Sequence, residues 1–246
     1  MTRIAMVLLL SVAAPLALSA ADARAQDRGD AAFLFAYTAK PGMAEAFEDG
    51  YRRHLEWHQE HGDSLAWLAW TVAAGPRVGM FVDGTFGIPF RAFDERVDPR
   101  GDAEDAAANV TAFADPVTRE VYRLRRELGS AARLEAGRPA PMQKVVRLTL
   151  RPGSEAAFER ALRELAQRDA AARLDYAVYE RVVGGAQPGF LVVVQLGSWA
   201  ELGDPRADAG RAVLRAAGSA VVSAESEVWL YRPDLSYFPG AELTRR

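Results

Sequence analysis

The sequence predicts an α+β fold: two tandem βαββαβ units packed sheet to sheet as one intramolecular α/β barrel. Three observations carry that expectation. The chain repeats itself at a constant offset, Thr38 against Thr149 and Phe47 against Phe158. Each copy presents the same order of short apolar runs and 3.6-period segments. A four-stranded sheet with both helices on one face leaves its other face bare, and the second copy is the nearest surface to cover it.

The elements follow in order. Thr38-Ala39-Lys40-Pro41-Gly42-Met43-Ala44-Glu45-Ala46-Phe47-Glu48 aligns without a gap with Thr149-Leu150-Arg151-Pro152-Gly153-Ser154-Glu155-Ala156-Ala157-Phe158-Glu159. In each copy a short apolar run, Phe33–Thr38 or Val145–Leu150, predicts a strand that Pro-Gly ends. A helical segment follows. Its inward face carries Ala44, Phe47, Tyr51, His54, Leu55 and His58 in copy one. Phe158, Leu162, Leu165, Ala166 and Asp169 take that face in copy two. Leu65–Val72 with Val78–Val82, and Tyr176–Val183 with Phe190–Leu196, predict hairpins turned near Gly75-Pro76 and Gly184-Gly185. Phe90-Arg91-Ala92-Phe93 then matches Trp199-Ala200-Glu201-Leu202. Ala-rich helices near Glu104–Ala114 and Ala207–Ala217 come next. Glu120-Val121-Tyr122 matches Glu227-Val228-Trp229 in the closing strands, Glu120–Leu124 and Glu227–Tyr231.

The order βαββαβ is the ferredoxin-like unit. The units are expected over 30–128 and 142–232, joined by an Ala/Gly/Pro-rich linker at 129–141. A tail at 233–246 contains Leu235, Tyr237 and Phe238, which need burial. It is expected to pack across the other copy or to seal one barrel end.

The strand, Pro-Gly and Ala/Phe-Glu helix opening resembles the dimeric α/β barrel superfamily, especially its antibiotic-biosynthesis-monooxygenase-like and NIPSNAP-like groups. There, two ferredoxin-like units pair through their sheets, and tandem fusions do so within one chain. The resemblance covers both copies and implies the fold. As an activity it implies a cofactor-independent monooxygenase or a related isomerase, with a histidine as general base near its ordinary pKa of about 6.5. No catalytic residue of that family matches a motif here. Chlorite-dismutase-like proteins use similar tandem units with an axial histidine in the second. This second unit has no histidine, which counts against haem.

Composition narrows the classes further. Half the residues are hydrophobic and 26% are charged, which excludes a disordered chain. With no cysteine, disulfides, thiolate metal sites and a Cys nucleophile are excluded. A formal charge of −3 argues against a nucleic-acid partner. Residues 1–25 read as a signal peptide: Arg3, an apolar run from Ile4 to Leu18, then Ala23-Arg24-Ala25 before Gln26. The run is shorter than the ~20 residues of a spanning helix, so no stable membrane insertion is expected after cleavage. Only Lys40 and Lys144 are lysines among 30 basic residues, the mark of a GC-rich bacterial gene. A periplasmic or secreted bacterial protein is expected. Fusing the two units removes the usual reason to dimerise, so a monomer is expected.

Function is sought where the copies differ. All three histidines, His54, His58 and His61, fall on the first helix of copy one, and the first two correspond to Leu165 and Asp169. Helical spacing aligns them with Phe47 and Tyr51, toward the sheet, where an imidazole needs a partner or a ligand. The plain reading is a helix end with His58 and His61 partly wetted and His54 bonded to a backbone carbonyl. The sharper reading is a pocket for a small apolar or aromatic molecule, formed by Tyr37, Tyr51, His54, His58, Trp67, Trp70 and Phe86. His54 and His58 are its polar handles and, in the enzymatic reading, its catalytic candidates. Trp67 and Trp70 should point to opposite faces, one toward the helices and one into the barrel. Phe86-Gly87-Ile88-Pro89-Phe90 reads as a loop over the mouth.

No metal and no cofactor are expected. His54 and His61 lie about 10 Å apart along a helix, too far to share an ion. Either adjacent pair would need a carboxylate from elsewhere. His54-Leu55-Glu56-Trp57-His58 has its Glu one place too late for the zinc-protease motif. Nucleophile-elbow, dinucleotide and phosphate-loop patterns are absent. Arg123, Arg125 and Arg126 read as a solvated strand end.

Overall fold

The computed structural model describes residues 29–130, 139–172, 175–204, 208–241 and 243. The expected signal peptide and the linker stretch 131–138 lie outside them. The first unit comprises β1 (Ala31–Ala39), α1 (Ala44–Glu60), β2 (Leu68–Ala74), β3 (Phe81–Ile88), α2 (Pro99–Asn109) and β4 (Ala114–Leu124). The second repeats the order as β5 (Met142–Leu150), α3 (Glu155–Ala172), β6 (Tyr176–Val183), β7 (Gly189–Leu196), α4 (Ala209–Ala217) and β8 (Val221–Tyr231). Short 3-10 turns follow β3 at Phe90–Phe93 and β7 at Trp199–Gly203, the two places matched in sequence.

The strands close into a barrel in the order β1-β3-β2-β8-β5-β7-β6-β4. The units do more than face each other. Their edges pair antiparallel, β2 with β8 and β4 with β6, so the barrel has no open edge. β4 and β8 both begin earlier than the sequence predicts. Outside the seams they pair on one side only and are largely solvated, so apolar alternation is missing there. At each seam a hairpin turn of one unit lies on the other unit's strand. Gly75 (φ +112) and Gly184 (φ +89) sit there. A Cβ would come within 2.7 Å of the Ser226 carbonyl oxygen at Gly75, and of the Arg119 carbonyl oxygen at Gly184.

Side chains alternate across the sheet and make three apolar layers. The barrel interior takes Leu34, Trp70, Tyr122, Val145, Tyr179 and Trp229 from both units. Phe158, Leu162, Tyr176, Val192 and Val213 fill the space under α3 and α4. Phe35, Phe47, Tyr51, Trp67 and Phe81 lie under α1 and α2. The tail joins this last layer, with Leu235 and Tyr237 buried and Tyr237 bridging Trp67 through both backbone groups. It packs across the other copy, one of the two placements its sequence allows.

Buried acids at repeat-matched positions bind arginines of the opposite unit. Arg147 donates to Glu120 at 2.8 Å, and Arg181 lies 3.2 Å from the same carboxylate. Arg77 grips Glu227 through two bonds of 2.6 Å. Removing one partner would strand a buried charge, at a cost of about 3–5 kcal/mol.

Two local expectations change. α2 starts at Pro99 rather than near Glu104, because the Asp98 carboxylate accepts the Gly101 N–H and Pro99 opens the first turn. Arg125 is no solvated strand end: it pairs with Glu159 on α3 and Glu180 on β6, tying the units together. Among the described residues no helix is long and apolar enough to cross a membrane.

Candidate functional site

Under α1 and α2 the apolar layer is incomplete. A cavity of about 160 Å³ lies between these helices and the first sheet. Its walls are aromatic where Phe35 and Trp67 project from the sheet side, and polar where the helices face it. α1 presents His54 and His58 one turn apart, both buried. α2 brings Asp102 and Asp105 in its first turns, oriented by the Asp98 cap. The turn after α1 carries Asp63, fixed by its N–H bond to the His58 carbonyl.

Each histidine is oriented from behind by a carboxylate. His54 Nδ1 lies 2.7 Å from Asp105 Oδ1. His58 Nδ1 lies 2.8 Å from Asp63 Oδ2, off the line of a straight hydrogen bond. Asp63 also accepts the Leu65 N–H and the Trp67 indole N–H, both at 2.9 Å. Burial alone would raise Asp63, but the His58 contact and these two bonds outweigh it and hold the carboxyl below its usual range. A proton on each Nδ1 leaves each Nε2 with a free lone pair. Both point at one atom: Asp102 Oδ1 is 3.5 Å from His54 Nε2 and 3.8 Å from His58 Nε2. Burial, and then the neighbouring His58, push His54 below the usual histidine range despite Asp105 and Asp102.

A fourth carboxyl closes the sheet side. Asp83 on β3 is buried and accepts the Tyr51 hydroxyl on Oδ2 at 2.5 Å, while Oδ1 has no hydrogen-bond partner among the described residues. Burial pushes its pKa up to about 7, against the lowering effect of the Tyr51 bond. Arg96 and Arg119 also line the cavity. Arg96 sits over the Phe93 ring, 3.5 Å from Asp102 Oδ2, and Arg119 over the Phe35 ring.

Of the residues singled out in the sequence, Tyr37, Tyr51, His54, His58 and Trp67 line this cavity. Trp70 and Phe86 do not. Strand alternation turns Trp70 into the barrel, against Trp229 and Phe86. Phe86 belongs to β3 rather than to a loop over the mouth, and it packs on Tyr179 inside the barrel. His61 is exposed, stacked on Trp57 and donating Nδ1–H to the Trp57 carbonyl. His54 binds a carboxylate instead of a backbone carbonyl. The acids were missed. Asp83 had a signal, a lone acid in an apolar strand; Asp102 and Asp105 look like any solvated first turn.

No protein-family model matches the chain, and no curated protein matches it. Solved structures do. A provisionally assigned monooxygenase from Lactobacillus acidophilus matches 88% of this chain and 100% of its own, with TM-score 0.55 and 12% identity. Another, from Fusobacterium nucleatum, matches 83% and 93% with TM-score 0.59 and 6% identity. A mutant chlorite dismutase from Candidatus Nitrospira defluvii, in complex with cyanide, matches 88% and 96% with TM-score 0.55 and 8% identity. Likeness at such identity shows the fold. The chain shares their fold, here with two ferredoxin-like units on one polypeptide closed into a single barrel.

Proposed function

We propose that this is an exported small-molecule-binding protein whose site is the first unit's cavity. The observation that supports this most is that Tyr51 and His54 stand around a cavity under α1 where their repeat counterparts, Leu162 and Leu165, are packed in an apolar cluster. About 160 Å³ suits a single ring, since an apolar cavity of ~150 Å³ holds benzene. Phe35 and Trp67 offer the ring its walls. His54, His58 and Asp83 offer hydrogen-bonding groups, and the Arg96 and Arg119 guanidiniums favour an anionic substituent. Export rests on residues 1–25, and a secreted product beginning at Gln26 is the check. Binding is tested by thermal stabilisation with single-ring compounds. Benzoate should stabilise the protein more than toluene, and Ala106→Phe, which fills the cavity, should abolish the effect. If no single-ring compound stabilises the parent, the reading fails.

A second reading, an isomerase-like enzyme, is favoured by Asp83. Its unpartnered Oδ1 at the cavity wall can take a proton from an acidic C–H of the bound molecule and return it to a neighbouring carbon. Neighbours described as monooxygenases and as an anthrone oxidase-like protein share the fold. In this reading Asp83 replaces histidine as the base. Asp83→Asn should keep binding and lose solvent-deuterium exchange into the ligand; exchange that persists would remove Asp83 from that role.

A further inference from the structure

We infer that His54, His58 and Asp102 form a site for one divalent first-row transition-metal ion, of the zinc or ferrous class. Three ligand atoms of these residues lie within 4.8 Å of one another. Two edges of that triangle, 3.5 and 3.8 Å, approach the roughly 3.4 Å edge of a tetrahedron with 2.1 Å bonds. The centre of that triangle suits a cation. With Asp105 and Asp63 taking the Nδ1 protons, two imidazole lone pairs and a carboxylate oxygen converge with no hydrogen between them. A cation at that point turns mutual repulsion into ligation.

The surroundings are those of a metal centre. A ligating histidine nearly always gives its other N–H to a carboxylate or carbonyl, which fixes the tautomer and strengthens the donor. Here both do. The supporting acids are themselves held: Asp105 accepts the Asn109 side-chain amide at 3.0 Å, and Asp63 takes the Leu65 and Trp67 N–H groups. Imidazole and carboxylate donors suit zinc, iron, nickel or copper better than magnesium or calcium, which prefer all-oxygen sets. Two histidines and one carboxylate leave coordination positions open, and the adjoining open volume is the cavity. An ion there would meet any molecule the cavity holds. The inference shares that cavity with the binding reading but stands without it.

The test uses the chain from Gln26 onward, freed of metal with a chelator and titrated with Co²⁺ alone. The visible d–d absorption reports site geometry, and zinc calorimetry reports stoichiometry. One equivalent should bind. Asp102→Asn and His54→Gln, which keep size and polarity, should weaken binding at least a hundredfold, with far-UV circular dichroism and thermal melts showing that they fold. Asp105→Asn, acting through His54, should weaken it by about 10–100-fold. His61→Ala should leave it unchanged. Absence of saturable Co²⁺ binding by the parent would overturn the site. So would parent-like affinity in both ligand variants, or loss of binding in His61→Ala. Because no organic molecule is present, a failed ring-compound screen leaves this result intact, and a failed titration leaves the screen intact.

Discussion

The two units place the same scaffold over different chemistry. Phe47 meets Phe81 at 5.1 Å under α1, and their repeat counterparts Phe158 and Phe190 meet at 4.6 Å under α3. Beyond that shared pair the layers diverge. Tyr51 and His54 have Leu162 and Leu165 as counterparts on the second helix. Asp83, paired across to Phe35, corresponds to Val192, paired across to Val146. Under α3 the second unit is filled with apolar side chains, each contributing about 1.5–3 kcal/mol by burial. The first gives up part of that for buried polar groups around a hollow. One half stabilises; the other is free to bind.

The largest expected effect breaks the filled half. Phe158→Ala should lower the unfolding free energy by about 3–5 kcal/mol in urea titrations, because the buried ring leaves a cavity behind. Next is the pH response of the hollow half, measured in metal-free protein. Asp83 has a raised folded-state pKa, so its neutral form is the favoured one. The associated stability is fully present below the unfolded carboxyl value of about 3.9 and is lost as pH rises through about 7, on the order of 4 kcal/mol. Tyr51, Tyr37, His58 and Asp102 are the charged and titratable groups that interact with this carboxyl. Asp83→Asn should flatten the curve between pH 4 and 8; an unchanged curve would place the titration elsewhere. Converting hollow to filled with the double change His54→Leu and Asp83→Val should gain about 1–3 kcal/mol and abolish Co²⁺ binding. The smallest effect concerns matched caps. Asp98 accepts the Gly101 N–H on α2, and Asp208 accepts the Arg211 N–H on α4. Alanine at either should cost about 1 kcal/mol, but only Asp98→Ala should also weaken metal binding, since α2 carries Asp102.

The fold was legible because folding imposes a rule on every residue of a strand or helix. Pro-Gly ends, 3.6-period faces and the repeat itself all reported it. The early halves of β4 and β8 escaped, because a half-solvated strand has no alternation to read. Of the site, the histidines were visible as departures from the second copy, which has none, and the spacing of Trp67 and Trp70 told that one of them faces the helices but not which. Trp70 and Phe86 look equally functional by composition, and only the side of the sheet separates them from the cavity. Asp102 and Asp105 could not be read. An acid in a first turn is ordinary, and its meaning here comes from α1 and α2 packing together.

The exchanged arginines carry one more implication. Glu120 draws its arginines from the second unit and Glu227 draws Arg77 from the first, so every half owns both a lock and the key to someone else's. A severed half would therefore not live as a monomer. The covalent tether keeps each lock beside its key, and so holds two unequal halves in one partnership.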